Sequence, residues 1–276
     1  MSVLVEVDWL REHIHDFNVR IIDCRFSLGN PKDGRERYNH SHIPGAVFFD
    51  LEKDLSGYAK KHGGRHPLPN MKNFLRKVED AGIDNQTIIV IYDEKEEAFA
   101  GRCWWLFHYI GHENVYILNG GFAAWKKASG KTESTVPIYP SKSFRPNFNE
   151  GIVASLDEVR AIANGERNTP LIDSRSRERF TGREEPIDRI PGHIPRAINH
   201  PWTDGVKEGY FIGGDEQKKR FEELKKDDPI IVYCGSGVTA TPNFISLKEA
   251  GFTNVKLYAG SYSDWISYED HKVEKE

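Results

Sequence analysis

Cysteine is scarce in this chain: three in 276 residues, Cys24, Cys103 and Cys234. Odd in number and far apart in sequence, they make neither a disulfide framework nor a thiolate zinc cluster. No apolar run approaches the ~20 residues needed to span a bilayer; the stretch from Cys103 to Ile110 is interrupted by His108. There is no excess of positive charge either. The formal net charge is −4, so no global field favours nucleic acid or an anionic membrane. The first eight residues lack the basic and then apolar regions of a secretory leader. His40 and His42 have no plausible metal partners nearby in sequence, so no metal site is expected. Low-complexity tracts are absent. These absences predict a protein of a reducing, cytoplasmic compartment, with no nucleic-acid or membrane partner.

What is present is repetition. Ile21-Ile22-Asp23-Cys24-Arg25 recurs as Leu171-Ile172-Asp173-Ser174-Arg175, and Glu36-Arg37-Tyr38 as Glu178-Arg179-Phe180. His42-Ile43-Pro44-Gly45-Ala46 returns as His193-Ile194-Pro195-Arg196-Ala197, and Ile89-Val90-Ile91-Tyr92-Asp93 as Ile230-Ile231-Val232-Tyr233-Cys234. Residues 111–125 match 251–265. Matches kept in one order mean a duplicated domain. The boundaries follow: 1–130, a linker 131–150 holding Pro137, Pro140 and Pro146, and 151–276. The end, from Tyr268 to Glu276, reads as a solvated tail.

Each copy alternates strands with helices. The first predicts a helix over 8–15, strands over 19–23 and 46–49, a helix over 70–81 capped by Asn70, and a strand over 87–92. A helix over 97–109 and a strand over 115–118 complete it. The second predicts a Ser155-capped helix to 164, strand 170–173, helix 216–226, strand 229–233, helix 241–250 and strand 255–258. Such alternation is an α/β pattern: a mostly parallel sheet with helices on both faces, and ligands beyond the C-terminal strand ends.

Cys234 lies at such an end. It is followed by Gly235-Ser236-Gly237-Val238-Thr239-Ala240 and then by a helix whose first turn holds Pro242. Unpaired amides of the loop and the helix start can converge on the sulfur and stabilise a thiolate, making Cys234 a candidate nucleophile. Packing as a small hydrophobe, the ordinary fate of a lone cysteine, fits poorly with two glycines, Ser and Thr directly behind it.

The run Cys234-Gly235-Ser236-Gly237-Val238-Thr239 resembles the active-site loop of tandem-domain sulfurtransferases of the rhodanese superfamily, and within them the 3-mercaptopyruvate sulfurtransferases; thiosulfate-preferring relatives carry Arg-Lys after the cysteine. The resemblance covers nearly the whole chain. It implies two tandem rhodanese-like domains, the first inactive because Asp93, followed by Glu94-Lys95-Glu96-Glu97, replaces the cysteine loop. It implies ping-pong transfer through a Cys234 persulfide held by loop amides of Gly235, Gly237, Val238 and Thr239, with no cofactor. Arg179 would bind the donor's anionic group, its rival role being a surface salt bridge to Glu178 or Glu184. A second substrate arginine would be Arg189 or Arg183. His66 would join Ser236 and, in place of the usual aspartate, Glu52 in a relay, or else be a loop histidine.

The expected donor is 3-mercaptopyruvate, alternatively thiosulfate; the acceptor is a thiol, a thioredoxin-like dithiol or cyanide. Two readings from other classes compete. A cysteine phosphatase needs a cationic residue in its phosphate cradle, and Gly235 through Ala240 hold none. A non-enzymatic binding module would tolerate loss of the cysteine or glycines, and neither is lost.

Overall fold

The computed structural model describes residues 2–94 and 98–276. The chain divides into two compact units. One comprises Met1–Gly57, Leu68–Asn149 and Glu208–Tyr210, the other Tyr58–Pro67, Glu150–Lys207 and Phe211–Glu276. This division does not follow the sequence repeat throughout, because Tyr58–Pro67, from the first half of the chain, folds with the second unit.

The first unit runs β1 (Leu4–Val5), α1 (Val7–His13), β2 (Val19–Asp23), α2 (Asp33–His40), β3 (Ala46–Phe48) and α3 (Met71–Asp80). It continues through β4 (Ile88–Tyr92), α4 (Ala98–Tyr109), β5 (Val115–Leu118) and α5 (Gly121–Lys127). Its strands form one parallel sheet in the order β1-β5-β4-β2-β3. Asn70 caps α3 by accepting the amide of Asn73. The expected start of α4 at Glu97, with Lys95 and Glu96, lies outside the described residues.

The remainder runs α6 (Leu156–Ala163), β6 (Leu171–Asp173), α7 (Arg177–Thr181), β7 (Ile198–Asn199), β8 (Val206–Lys207), β9 (Tyr210–Phe211) and α8 (Gly214–Arg220). Then come β10 (Ile230–Tyr233), α9 (Thr241–Glu249), β11 (Val255–Leu257) and α10 (Ser261–Trp265). The second sheet, also parallel, is ordered β11-β10-β6-β7. Val153 bridges Leu257 where β1 pairs β5 in the first unit, so the duplication holds strand by strand. Equivalent residues fill the cores: Tyr92, Phe122 and Trp125 in one, Tyr233, Tyr262 and Trp265 in the other.

In the second sheet Tyr233 is in register with Asp173, so β10 and β6 end side by side. Cys234 and Ser174 follow as neighbours at the C-terminal edge, where parallel sheets place their ligands. Behind Cys234, α9 starts with Pro242 in its first turn, and Gly251 takes φ +91° just past its end.

Some expectations need correction. The helix expected over 216–226 stops at Arg220. Phe221 is buried against Phe252 and His200, and at φ −118° and ψ 25° its packing overrides helix propensity. The short edge strands β1 and β7 and the polar helix α2 carry no readable periodicity. The C-terminal residues are exposed along much of their length, as a solvated tail would be, but they are docked rather than free. Trp265 donates its indole N–H to the carbonyl of Lys272 at 2.9 Å, and His271 stacks on the same indole. Glu274 exchanges backbone hydrogen bonds with His193, and Val273 packs on the second core. A segment with one apolar residue, Val273, is too short to show a pattern in sequence.

Ending the chain after Tyr268 should therefore lower the unfolding temperature of the second unit. Exposing Val273's contacts and orphaning the Trp265 N–H is worth about 2 kcal/mol or more, a shift on the order of 4–8 °C. A melting curve indistinguishable from that of the full chain would restore the solvated-tail description.

Candidate active site

Cys234 is only 1% exposed, yet polar groups reach its sulfur. The loop leaves β10 and curls through Gly237, whose φ of +77° is open to glycine but rarely to other residues. That curl brings the Gly237 N–H to within 3.2 Å of Cys234 Sγ. A Cβ at Gly237 would collide with the backbone carbonyl of Ala259.

Ser261 supports the loop from the far side. Its Oγ accepts the Cys234 N–H at 3.1 Å, lies 4.0 Å from Sγ, and donates to the Tyr258 carbonyl at 2.9 Å. Ser261 holds φ +56°, a left-handed conformation uncommon for a residue with a side chain. Its repeat mate Gly121 holds φ +58°, so the fold requires that backbone shape in both units. The second places a hydroxyl there beside the sulfur. Ser261 is a site residue that the resemblance did not supply; the Gly-to-Ser exchange between the repeats is the signal that could have found it.

The positive side of the site is built from Arg179 and Arg65. Arg179, on α7, does not pair with Glu178 or Glu184. Its Nε lies 3.1 and 3.0 Å from the two oxygens of Glu185, and its Nη2 lies 2.7 Å from Asp188 Oδ2. Arg65 Nη1 bonds Asp188 Oδ1. Burial is the largest influence on both carboxyls and pushes them up. For Glu185 the hydrogen bonds from Arg179 and the backbone outweigh it, leaving Glu185 below its ordinary value. For Asp188 burial prevails over the pull of Arg65, and the carboxyl sits above the usual range.

Both guanidiniums face Gly235. A Cβ there would stand 2.8 Å from Arg65 Nη2, 3.4 Å from Arg179 Nη2 and 3.6 Å from Arg179 Nη1. The structure thus places Arg65, not Arg189, beside the cysteine loop. Arg189 is exposed and donates to the carbonyl of Ile266 at 3.1 Å, and Arg183 is exposed as well. Arg65 was legible only in hindsight, as a cation following the glycine pair Gly63-Gly64, where a Cβ on Gly64 would strike the carbonyl of Gly260.

His66 follows directly, and its Nδ1 shares a 2.8 Å hydrogen bond with Ser236 Oγ. The structure therefore joins these two expected partners. Glu52, the expected third member, lies in the first unit and is exposed, its own amide bonded to Asp50. In the loop, the Val238 carbonyl accepts both the amide and the hydroxyl of Thr241, while Thr239 is partly exposed. His193 fixes a turn, its Nδ1 bonded to the Phe180 carbonyl. Among the described residues no group of three or more His, Cys, Asp or Glu side chains could hold a metal ion.

The first unit keeps the frame without the loop. Asp93, where the repeat places Cys234, accepts the amides of Phe99 and Ala100 at 3.1 Å and so caps α4. Glu94 meets Arg37, Lys126 and Arg25 at 3.2, 3.5 and 3.7 Å. An anion thus already fills the equivalent corner. Cys24 and Cys103, remote in sequence, meet in this unit's core. Burial, then the hydrogen bond with Cys103, pushes the Cys24 thiol well above its ordinary value, which keeps it protonated.

The profile of the rhodanese-like domain matches residues 6–128 and again 155–268. The chain belongs to the rhodanese family. A protein of Pseudomonas aeruginosa named as a probable 3-mercaptopyruvate sulfurtransferase is 38% identical over 271 residues, covering 96% of this chain and 95% of the relative. A putative thiosulfate sulfurtransferase, SseB of Mycobacterium tuberculosis, is 36% identical over 256 residues, 90% of this chain and 88% of its own length. The crystal structure of SseA from Escherichia coli, described as a 3-mercaptopyruvate sulfotransferase with the rhodanese fold, superposes with a TM-score of 0.84. It is 35% identical, with 95% of this chain and all of that one covered. Two rhodanese-type α/β domains in tandem are therefore the architecture here. No described helix is long and apolar enough to cross a membrane.

Gly237→Ala tests the loop's conformation. Positive φ and the collision with Ala259 together should lower stability by about 2 kcal/mol or more and displace the amide from the sulfur. Denaturant unfolding of the variant that matched the parent chain would show that the curl is not required.

Proposed function

We propose that this rhodanese-family sulfurtransferase takes its sulfur from 3-mercaptopyruvate and passes it, through a persulfide on Cys234, to a thiol or cyanide acceptor. The observation that carries the reading is the convergence on one sulfur. The Gly237 amide and Ser261 hydroxyl approach Cys234, and two guanidiniums face the adjacent Gly235. In the first half-reaction the Cys234 thiolate attacks the thiol sulfur of the donor. The carbon–sulfur bond breaks, its electron pair passes to carbon as the enolate of pyruvate, and a proton taken up there gives pyruvate. The persulfide remains, its negative charge held by the same donors. In the second, an acceptor thiolate or cyanide attacks the outer sulfur and the Cys234 thiolate leaves. The His66–Ser236 hydrogen bond supplies a proton-exchanging pair beside the loop.

In this reading the chemistry belongs to residues 151–276 together with Arg65 and His66, while 1–130 otherwise forms the inactive copy and 131–150 joins the two. Asp93 and Glu94 support that inactivity, since one caps a helix and the other occupies the anion corner. A thioredoxin-like dithiol in a reducing cytoplasm suits the acceptor role. The donor rests on charge. Glu185 and Asp188 offset Arg179 and Arg65, so the site gives no advantage to the dianion thiosulfate over a monoanionic carboxylate.

Cys234→Ser should abolish sulfur transfer, whereas Cys24→Ser and Cys103→Ser should keep most of the kcat of folded protein. Mass spectrometry after donor treatment without acceptor should find one added sulfur on the peptide containing Cys234, removed by cyanide. Transfer surviving in Cys234→Ser would overturn the assignment. Measured side by side, kcat/KM should be higher with 3-mercaptopyruvate than with thiosulfate; the reverse order would select the thiosulfate reading.

A further inference from the structure

At the edge of the second sheet two guanidiniums share one buried carboxylate. Asp188, its side chain 1% exposed, gives Oδ1 to Arg65 and Oδ2 to Arg179. Glu185 grips Arg179 through Nε and Nη2, and also accepts from Arg175 Nη1 at 3.2 Å. These bonds draw on one side of each fork. Arg65 Nη2 and the Nη2 and Nη1 of Arg179 stand toward Gly235, one residue from the sulfur. Two like-charged forks aimed at one point repel each other unless a counter-charge lies between them, and Asp188 is that counter-charge.

We infer that Arg65 is the second donor-binding arginine of the sulfur site, and that Asp188 positions Arg65 and Arg179 while cancelling enough of their charge to favour a monoanionic donor over a dianionic one. The inference rests on the reading of Cys234 as the sulfur-carrying nucleophile. It also accounts for Gly235. A Cβ there meets the end of a flexible side chain rather than backbone, so glycine is needed to leave Arg65 in place rather than to permit the fold. The loop itself holds no cation, and the positive charge is brought by a segment remote in sequence.

The test uses the full chain with 3-mercaptopyruvate and thiosulfate, following steady-state rates and the donor concentration that half-saturates persulfide formation. Arg65→Met should raise that concentration and the KM for 3-mercaptopyruvate by about 10- to 100-fold, the loss of one charge-assisted hydrogen bond, with kcat of the folded protein within a few-fold. Arg65→Lys should recover only part, since a point charge lacks the fork. Gly235→Ala should raise the KM while remaining folded. Asp188→Asn should shift the thiosulfate to 3-mercaptopyruvate ratio of kcat/KM upward by about tenfold. A merely structural Asp188 would instead lower kcat for both donors alike. Unchanged donor saturation in Arg65→Met, beside a parent chain that forms the persulfide, overturns the role of Arg65 alone. An unmoved ratio in folded Asp188→Asn overturns the charge argument. A parent chain that forms no persulfide overturns the Cys234 reading and this inference with it.

Discussion

Asp173 closes β6 with no exposure to solvent, and its carboxylate takes the Nε and Nη2 of Arg175, the latter at 2.6 Å. Burial alone would disfavour the guanidinium's charge, but Asp173 holds Arg175 above its ordinary value. Breaking such a pair leaves a lone buried charge, at a cost of about 3–5 kcal/mol. From this pair the site is built outward. Arg175 ties down the Gly192 carbonyl, stacks 3.9 Å over Tyr262 of α10, and reaches Glu185. Glu185 holds Arg179, Asp188 holds Arg179 and Arg65, and those two frame Gly235. Positive and negative groups alternate from the core to the sulfur, so the orientation of the outermost guanidinium is inherited from the innermost ion pair.

The first unit carries the same frame without a cysteine loop. Asp23 and Arg25 repeat the clamp, with Tyr92 donating to Asp23 and Arg25 bonding the Ser41 carbonyl. What diverged are the groups that would face a ligand. Where the second unit has Cys234, the first has the helix-capping Asp93, and Glu94 satisfies the local cations. The repeats also differ at the left-handed residue that opens α5 and α10. The first unit keeps Gly121, whereas the second accepts the strain of Ser261 and sets a hydroxyl behind Cys234.

The alternation of strands and helices, the parallel order, the Cys234 loop and the Ser155 and Asn70 caps were readable from residue patterns. Each depends on neighbours within a dozen residues: hydrophobic period, a glycine where the chain must curl, a short polar side chain before a helix. The His66–Ser236 pairing was reached through family resemblance rather than local pattern. Misreadings cluster where tertiary packing outvotes local preference. Phe221 ends its helix early because an aromatic pocket holds it, and the final residues are drawn onto Trp265 and His193.

Sequence by itself determined that this chain is a duplicated α/β protein with a cysteine on a glycine-rich strand-to-helix loop in one copy, because repeat, periodicity and loop composition are local properties. Only the tertiary structure decided which charges surround that cysteine. Arg65 and Asp188 stand 123 positions apart, and no spacing rule links them. They meet because residues 58–67 fold with the second unit, where a buried carboxylate must find cationic partners in space, whatever their distance along the chain.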